Sequence, residues 1–311
     1  MTLPDSLRRS LARGFASLLL LAGASDAALA RGESSVWTVK GQNNTVYLAG
    51  SVHALPKEHA AFPEQLQRAY EAAQVIVLEV DLDDLDPLEA VQYITTHGTL
   101  PEGQTLEDVV GEKDYARVVT LATELGVPEA AISRLEPWAA AQVLTQFALA
   151  RTGFDQALGI DMQITERAKK DGKPVDGLET VIDQLSVFDD RSYSEQTRFL
   201  MDSTDDAAEL DADLGKLVEA WRHGDLRALE MEFMKERAKS PALYDALLGD
   251  RNRKWMPKIE ALLAEDRDYL VVVGTLHYVG NDGLLELLKK SGHRAVPMPA
   301  AASAAAPSPG K

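Results

Sequence analysis

Two histidines share a four-residue pattern near opposite ends of the chain, Gly50–His53 (Gly-Ser-Val-His) and Gly274–His277 (Gly-Thr-Leu-His). Each copy follows an apolar run of the kind that forms a buried strand. A glycine three residues before the histidine permits a close backbone approach or a bulge that re-aims the strand. A histidine at such a strand end projects into the crevice above a sheet, where it can bind a metal or exchange protons.

Glu79 stands at the corresponding end of a third apolar run, Val75–Leu78. If the three strands are neighbours, two imidazoles and one carboxylate meet around an open position, which is the donor set of many hydrolytic metal sites. We therefore predict that His53, His277 and Glu79 bind a divalent cation, Mn, Co or Zn. The same residues also allow a metal-free arrangement, with one histidine as general base toward water, the other as electrostatic stabiliser, and Glu79 orienting one of them.

Several other residues could take part in the same chemistry, but the sequence around them is weaker evidence for a place in the site. Asp161 precedes an amphipathic helical pattern, and we interpret it as the N-terminal cap of that helix. Glu179 follows a short strand pattern in the same way as Glu79, which favours a place in the site. Arg251 could clamp a substrate carboxylate or form an ion pair that orients one of the acids, and the ion pair is the favoured interpretation. Gly280 and Gly283 precede the last helix, where either an oxyanion site or a simple turn explains them.

The elements that must position these residues follow an α/β pattern. Two β-prone runs around residues 41–44 predict a hairpin, and a helical pattern over residues 63–74 followed by Val75–Asp81 gives a β-α-β order. Residues from about 84 to 266 are mainly helical, with a short strand at Pro174–Gly177. Tyr269–Gly274 is another buried-strand pattern, and a last strand is predicted at Arg294–Pro297. The predicted fold is an α/β core sheet formed from both ends of the chain, with a large helical insertion.

Composition excludes several classes of function. The net charge is −17 with no cluster of Lys and Arg, which argues against a nucleic-acid partner. The chain has no cysteine, so disulfides, thiolate metal sites and a cysteine nucleophile are excluded, and a metal must be held by histidine and carboxylate. The patterns typical of nucleotide-binding loops and of serine hydrolases do not occur in it. Hydrolysis and ligand binding remain.

The amino terminus has the three parts of an export signal. Arg8, Arg9 and Arg13 form a basic region, Phe15–Ala22 is a short apolar stretch, and Ala28-Leu29-Ala30 is a small-x-small cleavage pattern. We predict cleavage after Ala30 and a periplasmic or secreted mature chain without a membrane span. The mature part, residues 31–298, is expected to be one domain, and residues 299–311, rich in Ala, Ser and Pro, are expected to be disordered.

The motifs together resemble the TraB/GumN family, which includes the Tiki metalloproteases. The resemblance rests on Gly50–His53, Val77–Asp81, Gly159–Asp161 and Gly274–Gly280, together with Gly177–Thr180, Gln184 and Arg251-Asn252, and it covers about Trp37 to Pro297. It implies kinship with a wider superfamily that contains erythromycin esterases and the haem-binding protein ChaN.

The resemblance implies a metal-dependent peptidase site at His53, His277 and Glu79, as proposed for the Tiki branch. In the esterase branch the corresponding histidine is thought to activate water without a metal. The expected function is thus an exported hydrolase acting on a peptide or a small molecule, and Glu179 and Arg251 belong to the expected site. A metal-independent esterase or amidase, and a haem-binding or metal-binding protein without turnover, are the alternatives.

Overall fold

The chain is an α/β protein whose main sheet draws strands from both ends of the sequence, as predicted. A computed structural model describes residues 34–81, 87–207 and 210–299. Within these ranges six strands form one mixed sheet in the order β6-β4-β7-β2-β1-β8, and two short strands, β3 and β5, pair separately. The strands are β1 (Val36–Lys40), β2 (Thr45–Ser51), β3 (Leu55–Pro56), β4 (Val75–Leu78), β5 (Phe154–Asp155), β6 (Val175–Gly177), β7 (Tyr269–Gly274) and β8 (Val296–Pro297).

The α-helices surround the sheet and fill the long segment between β4 and β7. They are α1 (Glu64–Ala72), α2 (Pro87–His97), α3 (Leu106–Val110), α4 (Glu112–Leu125), α5 (Pro137–Leu149), α6 (Ile160–Asp171), α7 (Val181–Asp189), α8 (Tyr193–Asp206), α9 (Leu210–Arg222), α10 (Leu226–Lys239), α11 (Pro241–Tyr244), α12 (Arg251–Leu262) and α13 (Leu284–Lys290). A π-helix, Asp245–Asp250, joins α11 to α12, and a 3-10 turn, Thr275–Tyr278, follows β7.

The centre of the sheet is parallel, because β7 lies between β2 and β4 and runs in the same direction as both. Its apolar residues are fully buried and alternate between the two faces. Leu270 and Val272 pack on one face beneath α1, α6 and Trp221 of α9. Val271 and Val273 pack on the other face, against α12 and α13. Burial on both faces explains why this strand reads as a continuous apolar run in the sequence.

The predicted hairpin is confirmed, since β1 and β2 pair antiparallel around residues 41–44, and β8 pairs antiparallel with β1. The predicted short strand at residues 174–177 is β6, which pairs parallel with β4 at the sheet edge. Between β4 and β6, helices α3, α4 and α5 build a separate apolar cluster with Leu200 of α8. The helical segment thus has its own packing and also supplies one strand to the sheet.

One prediction from the sequence needs correction, and two others concern residues that the structure does not describe. Strand β7 ends at Gly274, and His277 lies on the 3-10 turn that follows rather than on the strand itself. The expected signal peptide, residues 1–30, lies outside the described residues, as does nearly all of the expected tail, residues 300–311. Among the helices that are described, none is both long enough and apolar enough to cross a membrane.

Candidate functional site

The ends of β2, β4 and β7 bring the three predicted site residues together around Gly274. Ser51 of β2 pairs in register with Gly274 of β7, so the two Gly-x-x-His segments leave the sheet side by side. A Cβ atom placed on Gly274 would lie 3.3 Å from Nε2 of His53, 3.3 Å from Oε1 of Glu79 and 3.6 Å from Cδ2 of His277. Because glycine has no side chain, a small space remains there that these three groups share.

His53 is held by Asp161, which makes Asp161 a site residue. Nδ1 of His53 lies 2.8 Å from Oδ2 of Asp161, and Ser51 donates a hydrogen bond of 2.8 Å to Oδ1 of the same carboxylate. The interpretation of Asp161 as a helix cap was wrong, because the N-cap position of α6 is Gly159 and the Asp161 side chain points to β2. The carboxylate fixes Nδ1 as the protonated nitrogen, and Nε2 is left facing the space over Gly274.

Close contact between α6 and the end of β2 makes this pair possible. The backbone N–H of Ile160 donates to the carbonyl of Val52 at 3.0 Å. A Cβ atom on Gly159 would overlap the carbonyl group of His53, lying 2.7 Å from its carbon. Glycine at position 159 therefore permits the approach that places Asp161 beside His53.

Glu79 is buried and accepts hydrogen bonds on both carboxylate oxygens. Oε1 accepts the backbone N–H of Gly274 at 2.7 Å. Oε2 accepts the side chain of Gln184 at 3.1 Å and an N–H of Arg251. These donors hold the carboxylate in its ionised form with Oε1 at the shared space.

Arg251 lies at the start of α12 and is buried among acceptors that take all five of its N–H groups. Nε donates to Glu179, and Nη2 donates to both Glu79 and Glu179. Nη1 donates to the carbonyl of Leu247 at 2.9 Å and lies 3.3 Å from Nε2 of His277. With every donor engaged, Arg251 orients two carboxylates, and the substrate-clamp interpretation loses its basis. The ion-pair interpretation agrees with the contacts.

His277 is buried, in contrast to His53, whose side chain is 65% exposed. Asn252 donates its amide N–H groups to two backbone carbonyls, at His277 and Asp282, which fixes the direction of its side-chain oxygen. That oxygen accepts Nδ1–H of His277 at 2.7 Å, so Nε2 carries the lone pair. The Trp255 ring packs on the imidazole with 4.5 Å between centroids and donates its N–H to Glu179.

The sequence alone predicted no role for Ser51, Asn252 or Trp255. Ser51 stands inside the first Gly-x-x-His segment, and Asn252 follows Arg251 in a motif that carried the family resemblance. Those positions were the only sequence features that could have indicated a role for Ser51 and Asn252. Trp255 had none beyond its place in an amphipathic helix, because its hydrogen bond to Glu179 spans 76 positions of the chain.

The electrostatic environment shifts the pKa values of His53, Glu79 and His277 in different directions. The negative charge of Asp161 raises the pKa of His53 to about 9. Burial alone would raise the pKa of Glu79, but electrostatic interactions with His277, Arg251 and His53 and the N–H of Gly274 lower it to about 2. Burial lowers the pKa of His277 to about 3, with further lowering by Arg251 and His53. At neutral pH His53 is thus an imidazolium, Glu79 a carboxylate and His277 a neutral imidazole.

The fit of a divalent cation can be tested against these contacts. Both histidines have Nδ1 fixed by an oxygen acceptor, as metal-binding histidines do. Nε2 of His53 faces the space over Gly274, whereas the His277 atom nearest that space is Cδ2. Nε2 of His277 and Oε1 of Glu79 lie 3.8 Å apart, a separation that two ligands of one cation can have. However, in residues 34–81, 87–207 and 210–299 no three His, Asp or Glu side chains are grouped closely enough to hold a metal. The guanidinium of Arg251 also contacts Nε2 of His277. The donor types fit, whereas their spacing does not.

Comparisons with known proteins identify the family of the chain. The model of the TraB/PrgY/gumN family matches residues 35–297. The chain is 27% identical over 253 residues to the "Uncharacterized protein YbaP" of Escherichia coli strain K12, covering 79% of this chain and 89% of the relative. An uncharacterized protein of Treponema pallidum strain Nichols is 21% identical over 281 residues, covering 86% of this chain and 84% of that protein. No solved structure matches the chain significantly. The chain belongs to the TraB/PrgY/gumN family.

Proposed function

We propose that this chain is a hydrolase that activates water over Gly274 and cleaves a peptide or another acyl bond. The observation that carries the proposal is the His53–Asp161 pair with Nε2 of His53 facing the space beside Oε1 of Glu79. A histidine backed by a carboxylate is a common general base, because the carboxylate stabilises the imidazolium that forms when a proton is taken up.

The pKa values favour His53 as the group that takes the proton. Glu79, with a pKa of about 2, and His277, with a pKa of about 3, hold a proton too weakly to draw one from water. His53, with a pKa of about 9, is a much stronger base in its neutral form, which is the minor form at neutral pH and becomes the major one above pH 9. The water oxygen would attack the acyl carbon while its proton moves to Nε2 of His53, and the imidazolium would then protonate the leaving nitrogen or oxygen. Glu79 stays ionised and can accept the second water hydrogen.

The test uses internally quenched peptides and nitrophenyl esters as probes of acyl hydrolysis. We expect His53→Ala to lower kcat by about 100-fold to 10,000-fold, the usual contribution of a positioned general base. His223→Ala is the matched control, since His223 is an exposed histidine immediately after α9 whose ion-pair partner is Glu219. Equal turnover by wild type and His53→Ala would refute the proposal.

A second candidate keeps hydrolysis but adds a divalent cation, and the donor types of His53, His277 and Glu79 favour it, although these side chains would have to move closer together to hold the ion. His53, His277 and Glu79 would hold Mn, Co or Zn, which when bound supplies a Lewis acid and lowers the pKa of bound water. Elemental analysis after dialysis against each metal separates the candidates. About one metal per chain, lost in both His53→Ala and His277→Ala, would support the cation, and full turnover after exhaustive chelation would support the metal-free route.

We also propose that the chain is exported, with cleavage after Ala30. The support is the order of basic, apolar and small-x-small segments within residues 8–30. Amino-terminal sequencing of protein recovered from the periplasmic or secreted fraction should begin at Arg31. Recovery of the chain only in the cytoplasm, with its first 30 residues intact, would contradict export.

A further inference from the structure

The helices between β4 and β7 surround a cavity of about 170 Å³ that shares no lining residue with the site over Gly274. Its walls come from α5, α8, α9, α10, α11 and the π-helix. They are largely apolar and include Ala148, Phe199, Leu243 and Leu247. A dry apolar cavity of about 150 Å³ is large enough to bind benzene, so this one can hold a molecule of one ring.

The charged side chains of the lining already have partners within it. Asp202 accepts a hydrogen bond of 2.8 Å from Ser240. Glu236 accepts Lys239 at 3.2 Å and Tyr244 at 3.3 Å, and Lys239 also interacts electrostatically with Asp202. A charge taken out of water costs free energy unless it is paired. A charged ligand would therefore lose its hydration here, and every opposite charge that it met would already be engaged.

Three uncharged side chains of the lining, in contrast, make no hydrogen bond with any residue that the structure describes. They are Gln142 and Thr145, one turn apart on α5, and Ser203 on α8. Their amide and hydroxyl groups can both donate and accept. Binding sites for small molecules commonly combine apolar walls with a few such polar groups, which fix the orientation of the ligand.

Phe199 gives the cavity an aromatic wall. Its ring stacks on Phe188 with 5.2 Å between centroids, and Phe188 stacks in turn on Trp138 at 6.4 Å. Phe199 is only partly buried although it belongs to this row of rings. An aromatic ring in the cavity would extend the row, and aromatic pairs are stabilised beyond the area that they bury.

We propose that this cavity binds an uncharged molecule of one aromatic ring that carries a hydroxyl group. The ring would pack on Phe199 and against Leu243 and Leu247, and the hydroxyl group would hydrogen-bond to Gln142 or Ser203. An aliphatic ring of the same size would lose the aromatic contact. A molecule with a carboxylate or an ammonium group in place of the hydroxyl would bind more weakly, because its charge would lose hydration without a free counterion.

One wall residue connects the cavity to the candidate site. Leu247 lines the cavity, and its carbonyl accepts Nη1 of Arg251 at 2.9 Å. Leu247 lies in the π-helix immediately before α12, and π-turns are frequent at functional sites. A ligand that packs on Leu247 would therefore shift the carbonyl that positions Arg251. An effect of the ligand on hydrolysis rests on the proposed function, whereas its binding does not.

The test titrates the purified chain with phenol and follows the dissociation constant by NMR. One phenol should bind per chain, about tenfold more tightly than benzoate or benzylamine, the charged probes of similar size. Phenol should also bind about threefold more tightly than cyclohexanol, its aliphatic counterpart. Ala148→Phe, which fills the cavity, should abolish binding. Gln142→Leu should weaken phenol binding by about threefold to tenfold, the loss of one hydrogen bond. Gln146→Leu is the matched control and should bind as wild type does, because Gln146 is exposed one turn further along α5 and does not line the cavity.

Contrary results would overturn separate parts of the proposal. The absence of saturable phenol binding to folded wild type would overturn the site. Equal binding of benzoate or benzylamine would overturn the uncharged class, and equal binding of cyclohexanol would overturn the aromatic class. Phenol binding unchanged in Gln142→Leu would overturn the assigned location, whether or not Ala148→Phe folds.

The link to Arg251 has its own readout, the NMR signal of the Nε–H of that residue. Phenol should shift this signal in wild type and not in Ala148→Phe. A signal that stays fixed in wild type at saturating phenol would overturn the link. None of these measurements depends on turnover, so failure of the proposed hydrolysis remains a separate result.

Discussion

His53 owes its proton affinity to a single neighbouring carboxylate. Asp161 is the largest cause that raises the pKa of His53, through its charge and through its hydrogen bond to Nδ1. We expect Asp161→Asn to lower the pKa of His53 from about 9 toward its ordinary value of 6.5. An NMR titration of the imidazole measures this directly, and a midpoint that stays near 9 would contradict the assigned cause.

The same substitution should move the pH profile of the proposed reaction. If the neutral form of His53 takes the proton, kcat/KM of wild type rises about tenfold per pH unit below pH 9 and levels above it. In Asp161→Asn the plateau begins at lower pH, near the new pKa, and reaches a lower value because the base is weaker. A profile that does not move with the NMR midpoint would show that another group titrates in the reaction.

Arg251 is the counterion of two buried carboxylates, and its loss should affect stability. Arg251→Met leaves Glu79 and Glu179 without their shared guanidinium, so we expect the free energy of unfolding to fall by about 3–5 kcal/mol. Arg253→Met is the matched control two positions away, because Arg253 is 48% exposed and pairs with Asp250 and Asp282 at the surface. Its loss should cost about 1 kcal/mol or less. Urea unfolding of both variants measures the difference. An equal loss of unfolding free energy in both would refute the role of Arg251 as the counterion of Glu79 and Glu179.

At the scale of elements, the contact between α6 and the end of β2 depends on Gly159. Gly159→Ala would force the helix away from the carbonyl of His53, so Asp161 could not reach Nδ1 in its present geometry. We expect a loss of stability together with a fall in the pKa of His53. Gly153→Ala is the matched control, since nothing lies within 4 Å of a Cβ atom at that nearby glycine. An unchanged His53 titration in Gly159→Ala would show that the pair tolerates the displacement.

The strands of the sheet were predictable because local sequence patterns indicate them. Fully buried strands read as apolar runs, and the repeated Gly-x-x-His ends predicted that β2 and β7 would deliver two histidines to one place. Their pairing as parallel neighbours, with β4 on the other side of β7, confirms that arrangement of the sheet.

The difference between the two histidines was not predictable from local patterns. His53 is largely exposed and pairs with Asp161, 108 positions away, whereas His277 is buried against Asn252 and Trp255. Arg251 reaches Glu79 across 172 positions. Two copies of the Gly-x-x-His pattern therefore have opposite histidine pKa shifts, because tertiary neighbours set the desolvation and the charge around each imidazole.

At the scale of the whole molecule, the helical segment between β4 and β7 closes over the sheet and completes the site. It supplies Asp161 from α6, Glu179 from the segment after β6, and Arg251 from α12. Trp221 of α9 also donates its indole N–H to the carbonyl of Gly50, at the base of the first motif. The segments just after β2, β4 and β7 therefore carry His53, Glu79 and His277, and the helical segment provides the groups that set their charge states.

These charge states predict how the stability of the whole molecule varies with pH. His277 has a pKa of about 3 when folded and an ordinary value of 6.5 when unfolded, so the unfolded chain binds a proton that the folded chain refuses between those values. Its contribution to stability is therefore lost as pH falls from 6.5 toward 3. Glu79, with a folded pKa of about 2, adds a loss as pH falls below about 4.5. His53 acts in the opposite direction, because its stabilising charge is fully present below pH 6.5 and is lost as pH rises through 9.

Urea unfolding of the metal-free chain across pH 3 to 10 should separate these contributions. Relative to His277→Gln, wild type should lose up to about 1.4 kcal/mol of unfolding free energy per pH unit between pH 6.5 and 4.5, the slope of one proton. Relative to His53→Gln, it should lose stability only between about pH 6.5 and 9, and by less, since His53 is exposed to solvent that screens its pair. Parallel curves for wild type and His277→Gln on the acid side would mean that the buried imidazole titrates normally, and that Arg251 and burial do not hold it neutral.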